Sequence, residues 1–141
     1  MILVKIMKKN PQQKINFTAL RKIFSKFPQI KLAYFFGSRA TGNYGPMSDY
    51  DFAFYLEEKD AMKRFDIRLK LDAAISNFLK TNEVDIVILN DSTMPELNYE
   101  IINGKLIYEK EPYRVVVEPQ VIDKYIDFSD LLLKYGLTKG I

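Results

Sequence analysis

The chain has 141 residues and a formal net charge of +3, with 48% of its residues hydrophobic and 28% charged. This length and composition predict one globular domain with a sizeable core. The charge is too mild for a dedicated nucleic-acid binder, which concentrates basic residues on one surface, so we expect no direct nucleic-acid binding.

The chain contains neither histidine nor cysteine. This absence excludes Ser-His-Asp and Cys-His catalysis, zinc bound by histidine, thiolate metal sites and disulfides. A bound metal must therefore sit among oxygen atoms, which suits magnesium or manganese. A general base must be a carboxylate, a lysine or a tyrosine.

The N-terminal segment MILVKIMKKNPQQK does not have the pattern of a signal peptide. Its apolar stretch is too short and precedes the charges instead of following them. No run approaches the roughly 18 apolar residues that a membrane helix needs. We therefore expect a cytoplasmic protein with no membrane contact.

The first half of the chain alternates helical and strand patterns. Residues 1–7 fit either a strand or an extension of the first helix, and residues 16–27 predict an amphipathic helix that Pro28 ends. The apolar run 30–36 predicts a strand buried on both faces, and residues 49–56 predict a second strand. The glycine-rich residues 39–48 form a connector, with room for one helical turn after Ser38.

The second half continues the pattern. It predicts a long helix over 60–80, a strand over 84–89, a helix opened by a Thr93–Glu96 capping box, and a strand over 105–110. The long helix is expected to bury Met62, Phe65, Leu69, Ile75, Phe78 and Leu79. A closing helix carries the stripe Val117, Val121, Tyr125, Phe128 and Leu132, which Ile122, Ile126 and Leu133 widen into a face for the domain or for a partner.

Three acidic residues interrupt these apolar strands. The period of two places Asp49 and Asp51 on one face of their strand, about 7 Å apart. Asp85 lies within the next strand, where we expect burial, and a buried carboxylate needs a cation beside it. The three residues therefore predict a divalent-metal site in which Asp85 also accepts the proton of an incoming hydroxyl.

Gly37 and Ser38 follow the first buried strand. A glycine there lets the backbone approach a ligand, and the amides of a following helical turn can hold phosphate. Arg39 is placed to contact a phosphate or a leaving pyrophosphate. Each of these features is common by itself. Their succession, G-S, ten residues, D-x-D, a long helix and an acid in a third strand, indicates nucleotidyl transfer.

The segments GSRATGNYGPMSDYDFAF and EVDIVIL resemble the minimal nucleotidyltransferase (MNT) domain of the DNA polymerase beta superfamily. The resemblance implies an α/β (α+β) palm with a mixed sheet flanked by helices. It implies that Gly37 and Ser38 bind nucleotide phosphates and that Asp49, Asp51 and Asp85 hold two magnesium ions. We expect one domain over 1–141, with a motif core at 30–90 and a helix–strand–helix region at 91–141.

A separate MNT protein of this size resembles the antitoxins of HEPN/MNT toxin–antitoxin pairs. That family implies Mg²⁺-dependent transfer of AMP from ATP to a tyrosine of a HEPN ribonuclease toxin, and a complex between the two proteins. Two alternatives remain open at this point. The chain could neutralise its partner by binding alone, or it could act on a small-molecule hydroxyl such as that of an antibiotic.

Overall fold

A computed structural model describes residues 14–137, which form a four-stranded mixed sheet with helices on both faces. The five helices are α1 (Phe17–Phe24), α2 (Ser38–Thr41), α3 (Ala61–Leu79), α4 (Pro95–Ile102) and α5 (Tyr113–Lys134). The strands are β1 (Ile30–Phe36), β2 (Tyr50–Leu56), β3 (Val84–Ile88) and β4 (Lys105–Glu109). The predicted mixed sheet flanked by helices is confirmed, and the expectation for residues 1–7 lies outside the described residues.

The sheet has the strand order β3-β2-β1-β4. Strand β1 pairs antiparallel with β2 and with β4, whereas β2 and β3 are parallel. The central position of β1 explains its almost continuous burial, because helices cover both of its faces. Strands β3 and β4 form the two edges.

The alternation of side chains along the strands creates two separate cores. Helices α1 and α3 cover the face that carries Phe35, Phe52 and Phe54. Helices α4 and α5 cover the opposite face, which carries Tyr34, Phe36 and Ala53. Every strand thus contributes alternate residues to the two layers.

Helix α3 buries a different side from the one predicted. Its buried residues are Ile67, Leu71, Ile75 and Leu79, whereas Met62, Phe65 and Leu69 are 73%, 50% and 48% exposed. The helix has apolar residues on two opposite sides, so helical spacing alone does not decide which side faces the sheet. The prediction that Met62, Phe65 and Leu69 are buried is wrong.

Helix α4 starts one residue later than the predicted capping box requires. Its N-cap is Met94, without a side-chain cap hydrogen bond, and Pro95 occupies the first helical turn. Proline suits this position because it lacks an N–H and has a helical φ. The helix is confirmed, but the capping box is wrong. No helix within residues 14–137 has the length and apolar character needed to cross a membrane.

A buried hydrogen bond fastens α5 to the centre of the sheet. The hydroxyl of Tyr34 donates to Oε2 of Glu118 at 2.6 Å, and Nε of Arg114 donates to the same oxygen at 3.1 Å. Burial, followed by the hydrogen bond to Glu118, raises the pKa of Tyr34 well above its usual range. The tyrosine therefore stays protonated and remains the donor.

We expect Glu118→Ala to lower the free energy of unfolding by about 1–3 kcal/mol, because it leaves the Tyr34 hydroxyl buried without an acceptor. Tyr34→Phe should cost less, since Glu118 then keeps Arg114 as its partner. Thermal unfolding of both variants checks this order. A smaller loss for Glu118→Ala than for Tyr34→Phe would show that the buried hydroxyl has another acceptor.

Candidate active site

Gly37 and Ser38 lie where β1 gives way to α2. Gly37 is the N-cap of α2 and has φ +79°, a conformation that L side chains rarely adopt. Its carbonyl accepts hydrogen bonds from the amides of Ala40 and Thr41 at 3.1 and 3.2 Å. The predicted helical turn after Ser38 is thus present, and it directs backbone amides toward the end of the sheet.

Strand pairing brings the acidic residues to the same end. Asp51 lies opposite Phe36 of β1 and opposite Asp85 of β3. Directly paired residues of neighbouring strands point to the same face, so the carboxylates of Asp51 and Asp85 lie on the face covered by α4 and α5. Asp49, two residues before Asp51, is exposed just before β2 begins.

The expectation that Asp85 is buried is wrong, because its side chain is exposed. Strand β3 is an edge strand, and Asp85 is only its second residue. The helices of this face cover the later residues of β3 better than its start. The exposed position leaves the Asp85 carboxylate open to a ligand that approaches the edge of the sheet.

Asp51 is the most perturbed of these acids. Its burial, followed by the negative charges of Asp85, Asp49 and Glu100, raises its pKa from 3.8 to about 6. All of these causes disfavour the ionised form. A bound cation would stabilise the ionised form of the Asp51 carboxylate.

Glu100 belongs to the acidic end of the sheet, and the spacing of the sequence motifs did not predict it. This residue lies on α4, beside Ile101, which is fully buried against the sheet face of Phe36. Glu100 acts on the charge of Asp51 although the two residues are far apart in the sequence. No local pattern could identify it, because its position depends on how α4 packs on the sheet.

Gly37 packs directly against the acidic residues. A Cβ atom at this position would overlap the carboxylate of Asp51 and come within 3.0 Å of its Cγ atom. The absence of a side chain therefore allows Asp51 to lie beside the turn that begins α2. The predicted phosphate-binding turn and the predicted metal ligand are neighbours in the fold.

Arg39 is buried, with 3% of its surface exposed. Its Nε donates to the carbonyl of Ser48 at 3.0 Å, and its guanidinium lies over the rings of Tyr44 and Tyr50, 4.8 and 4.5 Å from their centroids. These contacts fasten the connector that leads to Asp49. A phosphate contact by Arg39 stays a prediction, and it requires the connector to move.

The donor set suits a hard divalent cation, because Asp49, Asp51 and Asp85 offer only carboxylate oxygens. Even so, no three acidic side chains within residues 14–137 converge as a ready-made metal site. The residues fit magnesium by their chemistry and by the end of the sheet that they share.

Comparison with known proteins agrees with this arrangement. Residues 18–113 match the family described as polymerase beta, nucleotidyltransferase. The chain belongs to this nucleotidyltransferase family. Gly37, Ser38, Asp49, Asp51 and Asp85 all lie within the matched residues.

Among similar proteins, the chain is 34% identical to the protein adenylyltransferase MntA of Aphanizomenon flos-aquae over 95 residues. The match spans 63% of this nucleotidyltransferase chain and 63% of the relative's length.

Three solved structures share the fold. They are a mutant of the toxin–antitoxin pair MntA–HpeT (TM-score 0.70, 19% identity), a toxin–antitoxin with AMP-PNP (0.69, 20%), and a tri-AMPylated Shewanella oneidensis HEPN toxin in complex with an MNT antitoxin (0.61, 20%). The first two matches each cover 86% of this chain and 95% of the other chain, and the third covers 85% and 92%.

We expect Gly37→Ala to destabilise the protein more than Gly42→Ala and to weaken its affinity for ATP. Both glycines have positive φ, but a Cβ at Gly42 meets no atom within 4 Å, whereas one at Gly37 overlaps Asp51. Both variants strain the backbone, Gly37→Ala more so because its ψ of −169° lies in a region that is almost restricted to glycine, and only Gly37→Ala adds the overlap with Asp51. Thermal unfolding and calorimetric ATP titration measure the two effects. Equal losses in both variants would show that Gly37 matters only for its backbone conformation.

We expect Asp51→Asn to stabilise the metal-free protein at pH 7.5 and to have little effect below pH 4. Because the folded-state pKa of Asp51 is about 6 and its ordinary value is 3.8, the folded protein retains a proton that the unfolded chain loses between these values. Stability from this group is present below pH 4 and is lost as the pH rises through 6. Because the residue is partly solvated, the expected gain at pH 7.5 is on the order of 1 kcal/mol. Thermal unfolding across pH in the presence of a chelator tests this, and a loss of stability at pH 7.5 would contradict it.

Proposed function

We propose that this protein is a Mg²⁺-dependent adenylyltransferase that acts as an antitoxin. It transfers AMP from ATP to a tyrosine hydroxyl of a HEPN ribonuclease toxin and thereby neutralises the toxin. The observation that carries the proposal is the meeting of Gly37, Asp51 and Asp85 at one end of the sheet in a chain of the nucleotidyltransferase family. Such a partner cleaves RNA, so we expect both proteins in the cytoplasm.

The known proteins support this choice of donor and acceptor. The similar Aphanizomenon protein is named a protein adenylyltransferase. Proteins of the same fold have been solved with AMP-PNP and with a tri-AMPylated HEPN toxin. Transfer of AMP to a protein partner is the activity common to these relatives.

Each residue of the site has a role in the proposed reaction. The backbone at Gly37 and the hydroxyl of Ser38 hold the phosphates of ATP, at the start of a helical turn. Asp49, Asp51 and Asp85 would hold two magnesium ions, which supply charge neutralisation at the phosphates and favour ionisation of the attacking hydroxyl. Without a side chain at Gly37, the phosphates can lie next to these carboxylates.

The transfer step forms one bond and breaks one. The tyrosine oxygen attacks the α-phosphorus of ATP, the bond from this phosphorus to the β-phosphate oxygen breaks, and pyrophosphate leaves. Asp85 accepts the proton of the hydroxyl. Its exposed position on the edge strand suits this role, because the acceptor belongs to another protein and must approach from outside.

The test is the intact mass of a HEPN protein after incubation with this protein, ATP and Mg²⁺. A gain of one or more AMP units supports the proposed activity. A stable complex without any mass change would favour neutralisation by binding alone. If neither occurs, assays with hydroxyl-bearing antibiotics test the small-molecule acceptor.

We expect Asp49→Asn and Asp51→Asn each to reduce AMP transfer by at least about a hundredfold. Each variant removes a carboxylate that would hold the magnesium ions which neutralise the phosphates of ATP. Asp85→Asn should slow transfer but retain ATP binding, since it removes the proton acceptor. Rates of AMP incorporation and calorimetric ATP titrations separate these effects.

The matched control is Asp66→Asn, which removes an exposed carboxylate of α3 on the other side of the sheet and should transfer AMP at the wild-type rate. Wild-type transfer by Asp51→Asn would refute the metal assignment. Loss of ATP binding in Asp85→Asn would make Asp85 mainly a ligand.

A further inference from the structure

Helix α5 has an exposed apolar row that its contacts with the sheet do not use. Only Val117 and Val121 of this helix are buried, both in its first half. On another side, Val115, Ile122, Ile126 and Leu133 are 72%, 38%, 50% and 58% exposed. Together with Pro119 and Ser129 they follow spacings of four and three residues from Val115 to Leu133.

This alternation of four and three is the spacing of a helix–helix seam. Residues repeating every 3.5 positions stay on one side of a helix and pack into a second helix laid alongside. Helix α5 has 22 residues and is about 33 Å long, enough for several turns of such contact. The exposed row therefore suits a helical occupant better than a loop.

A row of acids lies beside the apolar row. Asp123, Asp127 and Asp130 are exposed, and their spacing of four and three residues follows the adjacent line along the helix. None of the three forms an ion pair with another residue between 14 and 137. Lys124 lies on a different side, where it lines a groove with Gln120 and Val121. Lys134 ends the acidic row, so this side of α5 carries three negative charges and one positive charge, in a chain whose net charge is positive.

Contacts with the sheet and with α4 fix the position of α5. Helix α5 begins at Tyr113, whose ring lies 6.1 Å from that of Tyr55 near the end of β2. Twelve residues later, Tyr125 stacks on Tyr99 with ring centroids 3.9 Å apart. Tyr99 precedes Glu100, which acts on Asp51. The second half of α5 is therefore held against α4, on the layer of the fold that covers the sheet face of Asp51 and Asp85.

We propose that the exposed face of α5, with the apolar row Val115, Ile122, Ile126 and Leu133 and the acidic row Asp123, Asp127 and Asp130, docks a helix of the ribonuclease partner that carries lysine or arginine beside its own apolar residues. The inference rests on the proposed function, because a ribonuclease needs a cationic surface to hold its RNA. Docking a basic helix here covers part of that surface and holds the partner on the layer of the fold that covers the sheet face of Asp51 and Asp85.

The test is the affinity of the purified chain for a HEPN protein that it AMPylates or binds, measured by calorimetric titration at low and high salt. We expect Ile126→Asp to weaken binding at least tenfold, because it places a charge in the apolar seam. Asp127→Lys should also weaken binding, and it should reduce the salt dependence that opposite charges give the wild-type complex. Both positions are exposed, so neither variant should change thermal unfolding of the chain alone or its affinity for ATP.

The control is Phe65→Asp on α3, which places the same charge at a position as exposed as Ile126, 50% in each case, but on the other layer of the fold. It should bind like the wild type. At saturating partner, Ile126→Asp should transfer AMP at the wild-type rate, since the site itself is unchanged.

Wild-type affinity of both α5 variants would overturn the docking surface and leave the proposed transfer intact. Loss of binding in these variants with no AMP transfer by the wild type would support the surface and refute the activity. A wild-type chain that does not bind the HEPN protein refutes both. If sedimentation shows a wild-type dimer that Ile126→Asp dissociates without weakening partner binding, the seam joins two copies of this chain and the proposal is wrong.

Discussion

The pairing of β2 with β3 forces like charges together at one end of the sheet. The two strands are parallel, and Asp51 is in register with Asp85, so two carboxylates share one face. Burial and the neighbouring charges raise the pKa of Asp51 to about 6, which is a cost to the folded state at neutral pH. The aromatic interior on the opposite face, with Phe35, Phe52 and Phe54, holds the strands in this register. A divalent cation would relieve the repulsion, so the site favours a cation as its ligand.

The two helical layers have different consequences for this site. Helices α1 and α3 close one face of the sheet with a continuous apolar core. Helices α4 and α5 cover the other face but leave the acidic end open, and they bring Glu100 to it. The hydrogen bond from Tyr34 to Glu118 fixes α5 near its start. A contact with the centre of the sheet thus sets the orientation of the rest of the helix. The same layer thus shapes the active site and presents the proposed docking face.

Particular residues show how far sequence reasoning reached. The bounds of β1 and β2 agree with prediction to within one residue, because short apolar runs end at Gly37 or start beside Asp49. The common face of Asp49 and Asp51 follows from the period of a strand. The exposure of Asp85 and the position of Glu100 were not predictable, since one depends on β3 being an edge and the other on the packing of α4.

The sequence by itself determined the types of element, the oxygen-only chemistry that follows from the lack of histidine and cysteine, and the placement of two carboxylates at the start of one strand. These properties depend on composition and on spacing within a single element. The tertiary structure alone decided that α3 turns Ile67 and not Phe65 inward, that Gly37 lies against Asp51, and that α5 leaves Ile126 exposed. These depend on contacts between residues distant in the chain. Local periodicity does not choose among such contacts, because a helix with two apolar sides satisfies its own pattern either way.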